Sequence, residues 1–477
     1  MKTKVINTPD LKKAMSRLES TNFEVADLSA IEKLKKVSEG KKYYIRTYGC
    51  QANVRDEETM RGLLENAGYT PINDPEESDV IIINTCAVRE NAEDKVYGEI
   101  GNLKYLRKKN KNLILAICGC MVEQPEILDR VVQTYPEVNL IFGTHEIPNL
   151  YNLIVEAYEK GERIISVESK AGEVVEQLPV CRNNRFKAFV NIIYGCNKFC
   201  TYCIVPYTRG RERSRKFEDV LDECRSLVKA GYQEITLLGQ NVNAYGKDLD
   251  QGKDFADLLE AVALLGIPRL RFTTSHPWDF SSKMIDVIAK YPNIMKFIHL
   301  PVQSGNDEIL RLMGRRYSRQ QYLDLVKEMR SKIPGLTLST DIIVGFPNET
   351  DEQFKDTLSL VDEVKYEAAF TFIYSPRKGT PAAKMEDSTS MEVKKERLAK
   401  LNELINKYAL LSNEKMLNKT YDVLILGESD KDNKYMGYTE NMKLVNVKCD
   451  KELVGKIIPV KITGVKTWSL DGEVDDK

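Results

Sequence analysis

The fold of this 477-residue chain is decided by the stretch Gly195-Cys196-Asn197-Lys198-Phe199-Cys200-Thr201-Tyr202-Cys203. It spaces three cysteines as C-x-x-x-C-x-x-C directly after Phe189–Ile193, an apolar run typical of a buried strand. Three thiolates on one short loop suit three corners of a 4Fe–4S cube and leave the fourth iron open to another ligand. The alternative is a zinc knuckle, but structural zinc normally takes four protein ligands, and the nearest further cysteine, Cys224, lies in a predicted helix.

The cysteine loop begins a series of six predicted strand–loop–helix units. Each strand ends in a polar, Gly-rich or Pro-rich loop, as where Arg271–Thr274 leads to Ser275-His276-Pro277. The predicted strands are 189–193, 235–238, 271–274, 297–300, 338–344 and 368–374. Six units fit a partial barrel better than a full eight-fold one, with the unusual residues gathered at one mouth.

An earlier series of strands and helices predicts a parallel sheet with helices on its faces. Its strands are predicted at 43–48, 80–83, 113–117 and 138–142. Three of them deliver a cysteine at the C-terminal end, namely Cys50, Cys86 and Cys120, which are 36 and 34 residues apart. Because such ends share one edge of a sheet, a second three-thiolate cluster is expected there. Three ordinary buried cysteines are the alternative.

Cys118 competes with Cys120 as the third ligand. We choose Cys120 because a Gly-Cys pair just past a strand recurs at Gly49-Cys50 and Gly195-Cys196, whereas Cys118 ends the strand itself. The remaining cysteines, Cys181, Cys224 and Cys449, have no metal-like partners and are interpreted as isolated thiols.

The predicted fold class is therefore α/β, with a small all-β barrel at the C-terminal end. Short strands separated by Gly, Asp and Asn follow a helical connector at Met391–Leu417. We expect an N-terminal extension over 1–40, with a short helix after Thr8-Pro9 and no clear strand, and a parallel-sheet domain over 41–160. A polar linker is expected over 161–180, the barrel domain over 181–412 and the small barrel over 413–477.

Composition narrows the functional classes. With 70 basic and 71 acidic side chains, the chain carries a net charge of −1, which excludes a general nucleic-acid coat and leaves RNA binding to a local patch. No signal peptide and no apolar run of membrane-spanning length is present, so a cytoplasmic protein without membrane contact is expected. In that reducing compartment, ten cysteines favour metal binding or catalysis over disulfides.

The run 209–216 is rich in arginine and follows the cysteine loop immediately. At the barrel mouth, its guanidinium groups could hold a carboxylate or RNA phosphates, although most charge runs are simply solvated. A second patch, Arg315-Arg316-Tyr317, adds an aromatic ring that could stack on a base. The RNA-binding candidates are Arg209, Arg211, Arg213, Arg215, Arg315 and Arg316.

Four longer motifs resemble the radical S-adenosylmethionine (SAM) methylthiotransferases. They are Thr47–Gln51, Asn84–Ala92, Gly195–Ser214 and Tyr374–Ala383, and the resemblance covers about residue 41 to the end. It implies a methylthiotransferase N-terminal domain, a radical SAM barrel and a C-terminal TRAM domain. It also implies two 4Fe–4S clusters, with Cys196, Cys200 and Cys203 holding the SAM-cleaving cluster and Cys50, Cys86 and Cys120 the auxiliary one.

The resemblance further implies where SAM binds. Tyr202 corresponds to an aromatic residue beside the SAM adenine, Gly239–Asn241 to an amino-group segment, and Asp341–Pro347 to an adenine-contacting segment. The SAM-binding candidates are Tyr202, Gly239, Gln240, Asn241, Ser275, Gln303, Asp341 and Gly345.

The implied reaction adds a methylthio group to carbon 2 of N(6)-dimethylallyladenosine at position 37 of tRNA. One SAM is the methyl donor and a second is the source of a 5′-deoxyadenosyl radical. A sulfur donor and a low-potential electron donor, flavodoxin or ferredoxin, are required. The implied partner is the tRNA anticodon loop carrying isopentenylated adenosine, bound by a monomeric enzyme.

Two alternatives stay open on the sequence. One is a sister methylthiotransferase that acts on threonylcarbamoyl-adenosine in tRNA or on an aspartate of a ribosomal protein. The other is a non-enzymatic RNA-binding module that holds zinc.

Overall fold

A computed structural model of the chain describes residues 2–7, 21–87, 90–168, 172–430 and 434–475. The short helix expected after Thr8-Pro9 lies outside these residues.

In the described ranges, the first 176 residues form nine strands and five α-helices. The strands are β1 (Thr3–Asn7), β2 (Asn22–Val25), β3 (Lys42–Tyr48), β4 (Thr70–Pro71), β5 (Val80–Thr85), β6 (Ile114–Gly119), β7 (Leu140–Phe142), β8 (Arg163–Ser166) and β9 (Glu173–Glu176). The helices are α1 (Ile31–Ser38), α2 (Gln51–Asn66), α3 (Glu90–Lys109), α4 (Pro125–Thr134) and α5 (Leu150–Lys160). Seven strands make one parallel sheet in the order β1-β8-β7-β6-β5-β3-β4.

The central strands β5 and β6 are buried along their whole length. Their Val, Ile and Leu side chains pack on both faces, because helices cover the sheet on both sides. This confirms the expected parallel sheet with helices on its faces.

The sheet is wider than the four strands expected from the sequence. The edge strand β1 pairs with β8, and β2 pairs with β9 in the stretch interpreted as a polar linker. Val5 and Ile6 in β1 are 52% and 39% exposed, so this strand lacks the buried pattern by which strands are recognised.

The central region contains eight strands and seven helices. The strands are β10 (Lys187–Asn191), β11 (Ile193–Tyr194), β12 (Arg213–Ser214), β13 (Glu234–Leu238), β14 (Arg269–Phe272), β15 (Phe297–His299), β16 (Thr337–Val344) and β17 (Ala368–Ile373). The helices are α6 (Val205–Thr208), α7 (Phe217–Lys229), α8 (Phe255–Ala263), α9 (Ser282–Lys290), α10 (Asp307–Leu312), α11 (Arg319–Lys332) and α12 (Asp351–Val364).

Six of these strands form the arc of the predicted partial barrel. The ladder β10-β13-β14 and the ladder β15-β16-β17 are both parallel, and a bridge between Leu270 and Ile294 joins them. In β16, Leu338, Ile342 and Val344 belong to the core packed under the helices. Because alternate residues of a strand point to opposite faces, Ser339, Asp341 and Ile343 line the interior of the arc.

The C-terminal region is a long helix followed by a closed five-stranded barrel. The elements are α13 (Met391–Glu414), β18 (Thr420–Glu428), β19 (Tyr435–Thr439), β20 (Leu444–Lys448), β21 (Ile457–Val465) and β22 (Leu470–Val474). The strand order is β18-β19-β20-β22-β21, as expected for a small all-β barrel. Arg269, at the start of β14, donates to the carbonyl oxygens of Tyr438 and Asp422, both at 2.7 Å. The small barrel thus contacts the N-terminal end of the partial barrel.

None of the helices in the described part of the chain combines the length and the apolar character needed to cross a membrane.

Gly62 of α2 lies where the N-terminal sheet domain packs against the chain segment that contains Pro179. A Cβ at this position would lie 2.4 Å from the carbonyl carbon and oxygen of Pro179. We expect Gly62→Ala to lower the free energy of unfolding by about 1–3 kcal/mol through overpacking, measured by denaturant unfolding. The matched control is Gly98→Ala in α3, where nothing lies within 4 Å and Ala is the better helix former. Equal stability of the two variants would contradict the packing described here.

Candidate functional site: two cysteine triads and the barrel mouth

The loop with the C-x-x-x-C-x-x-C spacing leaves β11 at Gly195, whose φ is +72°. A Cβ there would lie 2.0 Å from the carbonyl oxygen of Arg211, so only glycine fits this turn. The Cys196 N–H donates to Gly210 at 3.1 Å, and Thr201 binds the carbonyls of Leu312 and Met313 at 2.8 and 3.0 Å. The backbone is therefore fixed on both sides of the cysteines.

Cys200 of this loop is buried beside one cation, and Cys196 and Cys203 are half-buried. Burial raises the pKa of Cys203 to about 12. The buried Arg315 guanidinium approaches the Cys200 sulfur, with Nη1 at 3.5 Å, and donates through Nη2 to the Pro301 carbonyl at 2.7 Å. A thiolate at this position is thereby offset by a neighbouring cation.

Beyond the loop, polar atoms without partners gather at three successive strand ends. Within the described residues, Asn241 Oδ1, Ser275 Oγ, His276 Nε2 and Gln303 Oε1 are buried and have no hydrogen-bond partner. Buried polar atoms are normally paired, so four orphans at the C-terminal ends of β13, β14 and β15 fit a polar ligand at this mouth. Asn241, Ser275 and Gln303 are among the expected SAM-binding residues.

The other expected SAM-binding residues have different surroundings. Gln240 accepts the Gly195 N–H at 2.6 Å and so supports the cysteine loop. Gly239 permits close packing, since a Cβ would lie 2.4 Å from Ile193. Tyr202 packs with Ile309, Met313 and Phe346.

Two expected SAM residues lie on or after β16. Asp341 faces the arc interior, with a carboxylate oxygen 3.5 Å from His299 Nε2. Gly345 is covered by α13, because a Cβ on it would lie 2.5 Å from Lys394. Its N–H donates to Glu349 at 2.8 Å. Gly345 thus packs closely against α13.

The second cysteine set lies at the C-terminal edge of the N-terminal sheet. Cys50 precedes α2, Cys86 follows β5, and Cys120 follows β6, and these strands are adjacent in the order β6-β5-β3. A hydrogen bond with Cys86 lowers the pKa of Cys50 to about 5, and the Arg209 cation acts in the same direction. The side chains of Cys50 and Cys86 therefore lie near each other at this edge of the sheet.

Cys118 and Cys120 point in different directions. The Cys118 sulfur lies 3.7 Å from the sulfur of Met60 in the core under α2 and α5. Cys120 instead packs with Ala87, Ile204 and Tyr207, at the contact with the central region. This orientation supports Cys120 as the third member of the set.

Arg209 links the two regions at this contact. Its Nε donates to the Cys120 sulfur at 3.0 Å, and its Nη2 donates to the Asp56 carboxylate at 2.6 Å. All three side chains are buried. Sequence reasoning missed Asp56, whose only local signal is a carboxylate in the second turn of the helix that follows Cys50.

The rest of the basic run is also largely turned inward. Arg213 is buried and donates to the carbonyls of Glu173 and Arg209 at 3.0 and 2.9 Å. Arg215 is buried against Glu176, at 2.7 Å from Nη2, and Glu223, at 2.5 Å from Nη1. These guanidinium groups are committed to protein partners, as is that of Arg315, so they do not offer phosphate contacts in this structure.

Two arginines of the expected RNA set remain at the surface. Arg211 is half-buried over the Phe199 ring at 4.6 Å. Arg316 is exposed and lies 4.8 Å from the ring of Trp278, and Lys198 lies 4.6 Å from the same ring. Trp278, which sequence reasoning missed, is 44% exposed between these two cations.

Each of the two cysteine sets offers the three thiolates that can hold three corners of a 4Fe–4S cube. Across the described residues, no group of three or more His, Cys, Asp or Glu side chains is arranged to hold a metal ion. A 4Fe–4S cube has a different requirement, because its thiolates bind different irons. The fit rests on three cysteines brought to one loop or to one sheet edge, and on one buried arginine beside each set.

Comparisons with known proteins agree with this division of the chain. Family models match residues 42–143 as Uncharacterized protein family UPF0004, 190–361 as the Radical SAM superfamily and 414–474 as the TRAM domain. Among solved structures, the radical S-adenosylmethionine methyltransferase TsrM from Kitasatospora setae aligns with a TM-score of 0.52 at 14% identity. That alignment covers 72% of this chain and 77% of TsrM, and it shows the fold alone. The partial barrel is thus of the radical SAM class.

Full-length relatives make the assignment more specific. The tRNA-2-methylthio-N(6)-dimethylallyladenosine synthase of Bacillus subtilis (strain 168) is 52% identical over 98% of this chain and 92% of its own length. The enzyme of the same name from Oceanobacillus iheyensis is 53% identical over 98% and 90%. The chain belongs to the tRNA-2-methylthio-N(6)-dimethylallyladenosine synthase family.

His276 offers a test of the electrostatics at the mouth. Burial lowers its pKa to about 2, and the nearby Arg315 and Lys198 cations act in the same direction. Below about pH 6.5 the unfolded chain therefore takes up a proton that the folded chain does not, and stability falls as the pH drops. Between pH 6 and 5, we expect the free energy of unfolding of His276→Gln to fall less steeply than that of wild type. The difference in slope should be up to about 1.4 kcal/mol per pH unit, measured by urea unfolding. Parallel curves for wild type and variant would show that His276 titrates normally when folded.

Proposed function

We propose that this chain adds a methylthio group to carbon 2 of N(6)-dimethylallyladenosine at position 37 of tRNA. The reaction uses two SAM molecules, one as methyl donor and one as the source of a 5′-deoxyadenosyl radical, together with a sulfur donor and a low-potential electron donor. The observation that carries the proposal is the pair of cysteine sets in one molecule, joined through the buried contact of Arg209 with Cys120. The names of the relatives, which match over nearly the whole chain, support the same reaction.

The six cysteines divide into two proposed ligand sets. Cys196, Cys200 and Cys203 would hold the SAM-cleaving 4Fe–4S cluster, and Cys50, Cys86 and Cys120 the auxiliary one. When bound, the clusters and SAM supply one-electron and sulfur chemistry that amino-acid side chains lack.

The chain's own residues position these groups and exclude water. Arg315 and Arg209 each place an N–H beside one ligand sulfur, which fixes the sulfur and offsets its negative charge. The orphaned polar atoms of Asn241, Ser275 and Gln303 would accept hydrogen bonds from SAM or donate to it. Binding SAM and the substrate adenosine at the same mouth holds the reacting atoms in a fixed relative geometry.

We assign the other partners on chemical grounds. The TRAM domain and the surface cations Arg211 and Arg316 would contact the anticodon loop that carries isopentenylated adenosine. Flavodoxin or ferredoxin would supply the electron to a monomeric enzyme. A tRNA substrate agrees with the cytoplasmic location predicted from the sequence. We retain the proposed boundaries of 181–412 and 413–477 for the barrel and TRAM domains. We extend the sheet domain beyond the expected 41–160, because β1 and β8 pair in its sheet.

The choice of Cys120 over Cys118 is tested by a matched pair of variants. Reconstituted wild type should contain about eight irons, the content of two 4Fe–4S clusters. We expect Cys120→Ala to lose the auxiliary cluster and to retain about four irons, and Cys118→Ala to keep about eight. The measurement is iron and acid-labile sulfide content after anaerobic reconstitution. The reverse pattern would assign the third ligand to Cys118.

The reaction itself is tested with tRNA from a strain that lacks this activity. Incubation under anaerobic conditions with SAM, sulfide and reductant should convert N(6)-dimethylallyladenosine to its 2-methylthio derivative, detected by nucleoside mass spectrometry. S-adenosylhomocysteine and 5′-deoxyadenosine should form alongside the product. Product on threonylcarbamoyl-adenosine instead would move the chain to the sister activity.

A further inference from the structure

The last strand of the partial barrel carries two exposed aromatic side chains. Phe370 and Phe372 of β17 are 57% and 44% exposed, the most exposed phenylalanines in the described residues. Scattered single apolar residues at a surface are ordinary, but two large rings on one face of one strand form an apolar patch.

Strand pairing shows which face this is. Phe370 lies opposite Asp341 and Phe372 opposite Ile343, and directly opposed residues of neighbouring strands share a face. The intervening Thr371 points the other way, where its hydroxyl hydrogen-bonds Asn402 of α13. The two phenyl rings therefore face the interior of the arc.

The arc is open at this strand. In the described structure β17 pairs with β16 on one side and is the terminal strand of its sheet. The interior face of β17 is thus reached from the side as well as from the mouth, where the orphaned polar atoms of Asn241, Ser275 and Gln303 lie. A substrate group that enters beside bound SAM would pass this surface.

The chemistry around the rings is apolar with one acidic group. Ile343 extends the apolar surface, and the His299 ring meets Phe370 edge-on with centroids 6.0 Å apart. The Asp341 carboxylate lies opposite Phe370, with His299 Nε2 at 3.5 Å. The cation Arg271 lies farther from the mouth, near the ring of Phe297. Phe297 is level with a position four residues, or about 13 Å, before Asp341 along the strand direction.

We propose that Phe370 and Phe372 form the binding surface for the N(6)-dimethylallyl group of the substrate adenosine. This inference rests on the proposed function and adds the residues that select its substrate. A branched five-carbon group gains binding energy by leaving water for an aromatic surface. The carboxylate of a threonylcarbamoyl group would instead meet the like charge of Asp341.

Binding, rather than turnover, gives the sharpest test. Three anticodon stem-loop RNAs would differ only at position 37, which is dimethylallyladenosine, adenosine or threonylcarbamoyl-adenosine. Their Kd values for the anaerobically reconstituted full chain would be measured by fluorescence anisotropy with SAM present. We expect wild type to prefer the dimethylallyl RNA over the adenosine RNA by about tenfold, as for a small apolar group in a pocket.

Variants separate the subsite from general RNA binding. The double variant Phe370→Ala/Phe372→Ala should lose this tenfold preference and keep the wild-type Kd for the adenosine RNA. Phe370→Leu/Phe372→Leu, which keeps an apolar surface, should retain most of the preference. Thr371→Ala, on the opposite face of the same strand, is the matched control and should bind like wild type.

Each contrary result has a distinct meaning. A double Ala variant that keeps the wild-type preference overturns the subsite, and so does a double Leu variant as impaired as the Ala one. A change in SAM affinity without RNA would show that the rings bind the SAM adenine instead. The conversion assay on wild type tests the proposed reaction separately: product without a dimethylallyl preference removes only the subsite, and no product removes the proposed function.

Discussion

The arrangement of the two cysteine sets depends on one buried cation, Arg209. A guanidinium removed from water carries a large desolvation cost unless it is paired and hydrogen-bonded. Arg209 meets this requirement with Asp56 and with the sulfur of Cys120, both of which come from the N-terminal sheet domain. The barrel domain thus contributes the cation and the sheet domain the anions, so the contact between the domains pairs charges that each domain alone would leave unpaired.

The same principle applies along the basic run. Arg213 donates to the main-chain carbonyl of Glu173, Arg215 pairs with the Glu176 carboxylate, and both partners lie on β9. Three arginines therefore connect the cysteine loop to the sheet domain and to the strand that joins the two domains. Buried ion pairs are poor evidence of high stability, but they are sensitive to geometry because a displaced partner leaves a charge unpaired. Their value here lies in fixing the two domains in one relative position.

The sequence predicted those parts of the molecule that depend on local pattern. The six barrel strands, the parallel sheet and the small barrel follow from apolar runs that end in Gly, Pro or polar loops. The edge strand β1 escaped prediction because its Val5 and Ile6 face solvent. The basic run suggested an RNA surface, yet the partners that bury it, Asp56 and Glu176, are far away in the sequence. The close packing of Lys394 on Gly345 also depends on a helix, α13, that lies far along the chain.

Charge explains why each cysteine set lies beside one buried arginine. Three thiolates around an iron–sulfur core leave a net negative charge, and that charge is costly in a region without water. Arg315 beside Cys200 and Arg209 beside Cys120 supply a fixed positive charge and an N–H directed at a sulfur. Lysine would supply the charge, but its single ammonium could not bind a sulfur and a second, fixed acceptor in one plane. Arg315 reaches the Pro301 carbonyl and Arg209 reaches Asp56 with their remaining N–H groups, so each guanidinium ties a sulfur to the surrounding fold.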